Sequence, residues 1–260
     1  MPVDPATVAL LLVAGMLAGA IGAITGLASV VSMPALLSIG LPPVVANATN
    51  TVAVLGSTVG AVISGRKDLR TRGLAAAALR EPPAHDDPVA LLAATAAGGS
   101  VLGTVLLLSS PTSAFQILLP LLVATGATLV LLPLLPLPAR RRRSGRATRP
   151  FLGVALAGAY AGYAAAGAGL AMHVVLDRSE HRPLVRTIAL RNLCAGTANV
   201  VAATLLAVAG PVAWLAVAFV FPGAVLGSLV GPRLIRHAPD RAVRVVIALA
   251  AYALAWQLIS

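Results

Sequence analysis

The chain has 260 residues, 58% of them hydrophobic and 10% charged, with mean hydropathy +0.93 and a formal net charge of +11. An ordinary soluble domain carries about 25% charged residues, so this composition excludes a water-soluble fold with a wettable exterior. The positive charge sits in short connections between apolar runs, and aromatic residues make up only 3%, which argues against nucleic-acid binding and for basic loops at a lipid surface.

Apolar runs long enough to span a bilayer, roughly 17–25 residues, lie near 7–31, 44–65, 89–109, 113–138, 151–176, 184–209, 211–232 and 242–259. They predict an all-α polytopic membrane protein with about eight hydrophobic helical segments. The opening MPVDPATV has no basic stretch, and the run behind it outlasts a leader's apolar core, so a retained segment is expected rather than a signal peptide. Residues 6–40 hold too many apolar residues for one straight span and too few for two. Within them, GAITGLASVVSMP (22–34) carries Gly22, Gly26, Ser29 and Pro34. Glycine frees the backbone and proline removes a donor, so a broken or re-entrant helix is predicted, tolerable at membrane depth where protein buries it or water lines it.

Next comes NATNT (47–51), with Asn47, Thr49, Asn50 and Thr51 in an apolar setting and Ser57 shortly after. Uncharged hydrogen-bonding groups near a helix start suit an anion, because free amides and the positive dipole end point the same way. The polar connection 66–87 begins with Arg66, Lys67, Arg70 and Arg72, a cytoplasmic signal. It ends in PPAHDDP, where prolines flank His85, Asp86 and Asp87; solvated loop residues are expected there rather than metal ligands. The run ARRRRSGRATRP (139–150) is read as a basic cytoplasmic hinge between a first membrane repeat, 1–138, and a second, 151–260.

The second repeat opens with AGYAAAGAGLAMH (161–173), where Gly167 and Gly169 predict a second helix break and His173 is a candidate proton relay. TIALRNLCAGTANVV (187–201) then buries Arg191 and Asn192 in an apolar run, with Thr197 and Asn199 further along. An arginine at a helix centre costs about 2.5–3.5 kcal/mol on insertion scales, so Arg191 is expected to face a partner or a polar path. Its planar donor fork suits carboxylate or sulfur oxyanions. An anion site between NATNT and RNLCAGTAN is therefore expected, with Arg191 as counter-charge; the competing reading pairs Arg191 with Asp177 or Glu180, or lets it snorkel to the interface. Cys194 is the only cysteine, and it is read as a small buried filler.

The halves resemble each other. LAGA at 17–20 recurs at 156–159, and GST at 56–58 is followed by GTA at 196–198, about 140 residues on; GGSVLGT (98–104) matches PGAVLGS (222–228) 124 residues on. The change of offset places an insertion in 66–87. With the basic loop 233–244 (Arg233, Arg236, Arg241, Arg244) also inside, the charge pattern fits inverted repeats, an architecture that puts a substrate site at the repeat interface.

These residues carry a family resemblance. The stretch GMLAGAIGAITGLASVVSMPALLSIGLPPVVANATNTVAVLGSTVGAVISGRKDL (15–69) resembles the first repeat of the sulfite exporter TauE/SafE family of membrane permeases, through Pro34, Leu36, Leu41–Pro42, Ala46, Thr49 and Asp68. The second half is similar to that family's second repeat through Gly167, Gly169, Pro183, Trp214, Gly223 and Gly227. Two departures stand out: Thr25–Gly26–Leu27–Ala28–Ser29 keeps one glycine of the family's string, and Val174 replaces the proline after the second. The resemblance implies movement of a small anion, of the sulfite, sulfonate or organic-acid type, by a secondary transporter in the plasma membrane. It implies lipid and the anion as partners, with no cofactor and no metal. A P-loop, G-x-S-x-G or H-E-x-x-H pattern does not occur, so an intramembrane enzyme is the weaker alternative, beside a membrane scaffold that moves nothing.

Overall fold

The computed structural model describes residues 4–25, 28–60, 89–131, 150–164, 167–179 and 184–234, together with 245, 248, 249, 252 and 256. Every regular element among them is α-helical: α1 (Pro5–Thr25), α2 (Ala28–Ser38), α3 (Pro43–Ala53), α4 (Val89–Ser109), α5 (Thr112–Leu131), α6 (Phe151–Ala164), α7 (Ala168–Ser179), α8 (Leu184–Ala209) and α9 (Trp214–Leu234). Within the described residues, four helical stretches are long and apolar enough to cross a membrane: Pro5–Gly22, Val89–Ser109, Leu190–Ala209 and Trp214–Gly231. Shorter apolar helices, Ala28–Ser38 and Phe151–Ala164, stand beside them.

Several of the apolar runs do not map onto single helices. Residues 7–31 contain α1 from its third residue to its end at Thr25, and the first residues of α2, which starts at Ala28. Run 151–176 is divided between α6 and α7, with Gly167 at φ 81° at the boundary; a side chain there would be strained, which is why glycine fits. Val54 is a turn that ends α3, and the chain resumes helically over 55–60. Helices α2 and α3 have 11 residues each, about 16 Å, half the ~30 Å of a hydrocarbon core. Gly40 at φ 83° and the Pro42–Pro43 step join them; proline suits the first turn of α3, where its missing N–H has no helical partner. The run 242–259 and the loops 66–87, 139–149 and 235–244 lie mostly or wholly outside the described residues, and so does Gly26.

Two glycine seams organise the bundle. Helix α1 lies along α9, and α4 lies along α6. In the first seam, a Cβ on Gly15 or Gly19 would overlap the carbonyl oxygens of Val220 or Ala224, and one on Gly223 or Gly227 those of Leu12 or Met16. The second seam is built alike: Gly158 and Gly162 press on the carbonyls of Ala96 and Ser100, and Gly99 and Gly103 on those of Ala155 and Ala159. Lipid offers no hydrophobic drive for helices to associate, so close backbone approach across small residues supplies the packing, with Cα–H···O contacts in addition.

Around each seam the short helices fall into place. Helix α2 packs on α1 and α3, while α3 packs on α9; correspondingly α7 packs on α6 and α8, while α8 packs on α4. The two groups join where α3 meets α8, and α5 touches both α3 and α7. One apolar core is confined to the second group: Leu92 and Ala96, Val154, Ala157 and Ala161, Met172 and Leu176, Leu190, Cys194 and Ala198. The other core runs from Leu11, Met33 and Leu36 through α3 to Phe115, Tyr163, Ala203, Leu206 and Val220. It spans the junction.

Candidate functional site

Helix α3 is the most polar buried element among the described residues. Residues 46–53 are all buried, with Asn47 2%, Thr49 0%, Asn50 1% and Thr51 1% exposed. Polar groups taken out of water must find partners, and the partners here come from distant parts of the chain. Asn47 Nδ2 donates to the carbonyl of Tyr163 at 3.0 Å. That carbonyl belongs to the last turn of α6, where helices leave acceptors unpaired. The N–H of Ala213, just ahead of α9, donates to Thr49 Oγ1 at 2.9 Å, so a threonine 164 positions away in sequence caps a helix start. Thr51 Oγ1 bonds back to the Asn47 carbonyl at 2.8 Å. Ser32 Oγ of α2 donates to Asn50 Oδ1.

Two atoms are left over. Asn47 Oδ1 and Asn50 Nδ2 are buried and have no hydrogen-bond partner. They belong to residues three apart, which share a helix face. The orientation of the Asn47 amide follows from chemistry: the Tyr163 carbonyl can only accept, so the NH2 must face it and the oxygen must be the atom left bare. An unmet buried polar group costs about 1–3 kcal/mol, so this pair keeps one acceptor and one donor to offer.

The other sequence candidates are placed as follows. Ser57 Oγ donates to the Val54 carbonyl at 2.7 Å, capping the break after α3. On α8, Arg191 is half-buried and Asn192 exposed; Nε and Nη2 of Arg191 donate to Asn192 Oδ1 at 3.1 and 2.8 Å. Thr197 Oγ1 bonds within its own helix, to the Leu193 carbonyl at 2.8 Å, and Asn199 is half-buried. His173 lies half-buried on α7. Gly22 faces Ala28, whose Cβ would stand 2.6 Å from one added to it; Ser29 and Pro34 lie inside α2, and Gly169 inside α7. His85, Asp86 and Asp87 lie outside the described residues.

The structure gives Arg191 and α3 different neighbours. Leu190 and Cys194, either side of Arg191, pack in the second-group core with α4, α6 and α7. The apolar residues of α8 that share a core with α3 are Ala203, Leu206 and Ala207, at least twelve residues further on and therefore about 18 Å along the axis. Asn199 is one turn before that junction. Residues the sequence reading did not single out contribute instead. Ser32 serves Asn50; Ser100 Oγ donates to the Ala198 carbonyl at 2.6 Å, and Thr104 Oγ1 to the Gly162 carbonyl at 3.3 Å. Their signal was a hydroxyl at an otherwise small-and-apolar helix face.

Comparison with known proteins adds the following. The family described as "Sulfite exporter TauE/SafE" matches residues 11–258. A "Probable membrane transporter protein" of Haemophilus influenzae is 26% identical over 250 residues, 94% of this chain and 91% of that protein. No solved structure matches the chain.

Proposed function

Because the chain belongs to the sulfite exporter TauE/SafE family of membrane transporters, we propose that it is a plasma-membrane permease that moves a small oxyanion as a secondary transporter, with α3 as its recognition element. The observation that carries this reading is the buried polar face of α3 at the junction of two helix groups, with Asn47 Oδ1 and Asn50 Nδ2 unmet. A small anion of the sulfite, sulfonate or organic-acid type is the substrate class. Arg191 supplies a fixed positive charge at a second station about 18 Å along α8, and Asn192, Thr197 and Asn199 mark the polar track between that station and the junction. The hinge 139–150 lies in the cytoplasm.

We read the two helix groups as the products of one duplication, inserted in opposite senses. The glycine seams support this: adding 143 carries Leu12, Gly15, Met16 and Gly19 onto Ala155, Gly158, Ala159 and Gly162, while subtracting 124 carries Val220, Gly223, Ala224 and Gly227 onto Ala96, Gly99, Ser100 and Gly103. All four contacts of one seam then fall on the four of the other. The match lies one helical turn beyond the LAGA pair at 17–20 and 156–159. On this reading the repeats are exchanged: the first helix of each packs on the fourth of the other, and about eight segments are shared between them.

The test is flux in proteoliposomes with sulfite, methanesulfonate, acetate and chloride. Uptake or counterflow of one of the oxyanions, lowered at least tenfold in Asn50→Ala and in Arg191→Ala with Arg191→Lys partly restoring it, is the expected result. A folded protein with no flux of any oxyanion would favour the scaffold reading instead.

A further inference from the structure

We infer that the α3 site takes its anion in a hydrogen-bearing, singly charged form, so that the substrate brings its own proton. The inference rests on the reading of α3 as the recognition element and names what that element selects. Three observations carry it.

The first is the fixed polarity of the Asn47 amide. Its NH2 is committed to the Tyr163 carbonyl, so the unmet Oδ1 is a pure acceptor. A fully deprotonated oxyanion offers only lone pairs and would be repelled there. An O–H on the anion satisfies the atom. Asn50 Nδ2, three residues on and unmet as well, supplies the complementary donor for an unprotonated oxygen of the same molecule. One acceptor and one donor on a shared face describe a ligand with one hydroxyl and one anionic oxygen.

The second is what surrounds α3. Among the described residues, the helices packed on it are α2, α5, α8 and α9, and α6, which carries Tyr160 and Tyr163 but no Asp, Glu, His, Lys or Arg, reaches it through the Tyr163 carbonyl. Helices α2, α3 and α5 contain no Asp, Glu, His, Lys or Arg; α9 has Arg233 near its far end, and α8 has Arg186 and Arg191. Tyr163, whose carbonyl Asn47 holds, packs its ring on Phe115 at 5.6 Å between centroids. These helices and α3 therefore place no carboxylate or imidazole beside the amide to hold or exchange a proton. Among the described residues, then, the proton is best supplied by the substrate itself.

The third is charge. Arg191 stands about 18 Å from the junction along α8, beyond contact with a molecule bound at Asn47 and Asn50. With neutral dipoles alone to replace water, the solvation loss grows with the square of the charge, so a dianion costs about four times as much to bring in as a monoanion. Hydrogensulfite in its O–H form fits; sulfite dianion does not.

Sulfite is the probe because its protonation changes with pH while its heavy atoms stay the same. In proteoliposomes holding wild-type protein, the KM in total sulfite is expected to rise about tenfold per pH unit above the hydrogensulfite–sulfite equilibrium and to stay constant when expressed as hydrogensulfite. Methanesulfonate, which has no O–H at any of these pH values, should compete at least tenfold less well than hydrogensulfite. Asn47→Ala should bring the two ligands within about threefold of each other, and Asn50→Ala should weaken both alike while keeping the pH profile. His173→Gln should leave the profile where it is. The wild-type comparison stands even if Asn47→Ala does not fold. A KM in total sulfite that stays flat with pH, or methanesulfonate binding as well as hydrogensulfite, overturns the proton inference while a loss in Asn50→Ala would keep the site. A steep profile untouched by both asparagine variants in folded protein overturns the site, and the inference with it.

Discussion

Asn47 and Thr49 do two things at once, and separating them is the main task at the scale of the residue. Each holds a backbone group of the other half: Asn47 the Tyr163 carbonyl, Thr49 the Ala213 N–H. Thr49→Val keeps the shape and removes the acceptor, leaving a buried N–H bare at a cost of about 1–3 kcal/mol; Thr49→Ser keeps the oxygen and should cost less than half as much. Thermal unfolding in detergent, followed by loss of a monodisperse elution peak, would rank wild type, Ser and Val in that order. A Val variant as stable as wild type would show that Ala213 finds another acceptor. The polarity of NATNT was legible in the sequence, because amides and hydroxyls in an apolar run stand out by composition. What each one bonds to was not legible. Both partners are backbone atoms, and backbone atoms carry no residue signature. Arg191 shows the opposite limit: a charge in an apolar run is conspicuous, yet its axial distance from the α3 junction depends on where two helices cross.

At the scale of the element, the glycines divide into those that are pressed and those that are open. Gly103 meets the Ala159 backbone, whereas Gly98, on the same helix and one and a half turns away, has nothing within 4 Å of a would-be Cβ. Gly98→Ala should be neutral or stabilising by up to about 1 kcal/mol, while Gly103→Ala must push α4 off α6 and should cost about 1–3 kcal/mol. Equal effects on the unfolding temperature would mean that the seam is looser than its geometry. Helical character was readable from hydropathy alone, and so was bilayer-scale length for the four stretches Pro5–Gly22, Val89–Ser109, Leu190–Ala209 and Trp214–Gly231. The short helices were harder. Nothing polar separates α1 from α2 or α6 from α7 in the sequence, so hydropathy marks no boundary there and only small residues with freedom of φ hint at one. The seam partners were not readable at all: with 24 glycines in the chain, small residues four apart occur on several helices and select no particular neighbour.

For the whole molecule, the seams define which parts move together. Helices α1 and α9 come from opposite ends of the sequence but share interlocked backbones, and so do α4 and α6. Any change that opens the junction of α3 and α8 should therefore carry each pair as a unit. Spin labels at Leu17 and Leu226, both exposed on α1 and α9, should keep their distance between substrate-free and substrate-bound states, as should labels at Leu102 and Leu156 on α4 and α6. Labels at Leu156 and Leu226, one on each pair, should shift by several ångströms. The labelled protein needs Cys194, buried in the second core, replaced by Ala. Invariant cross-pair distances alongside a changing seam would assign the motion to the sequence halves instead.

The exchange of partners also bears on how the protein is made. Helix α1 leaves the ribosome well before its groove partner α9, which begins 189 positions after α1 ends, at Trp214. At about 5–20 residues per second, α1 waits roughly 10–40 s in the bilayer with Gly15 and Gly19 facing lipid tails. During that interval any other nascent helix with small residues at the same spacing is a rival, so slowing synthesis between the two helices should lower the yield of correctly assembled protein.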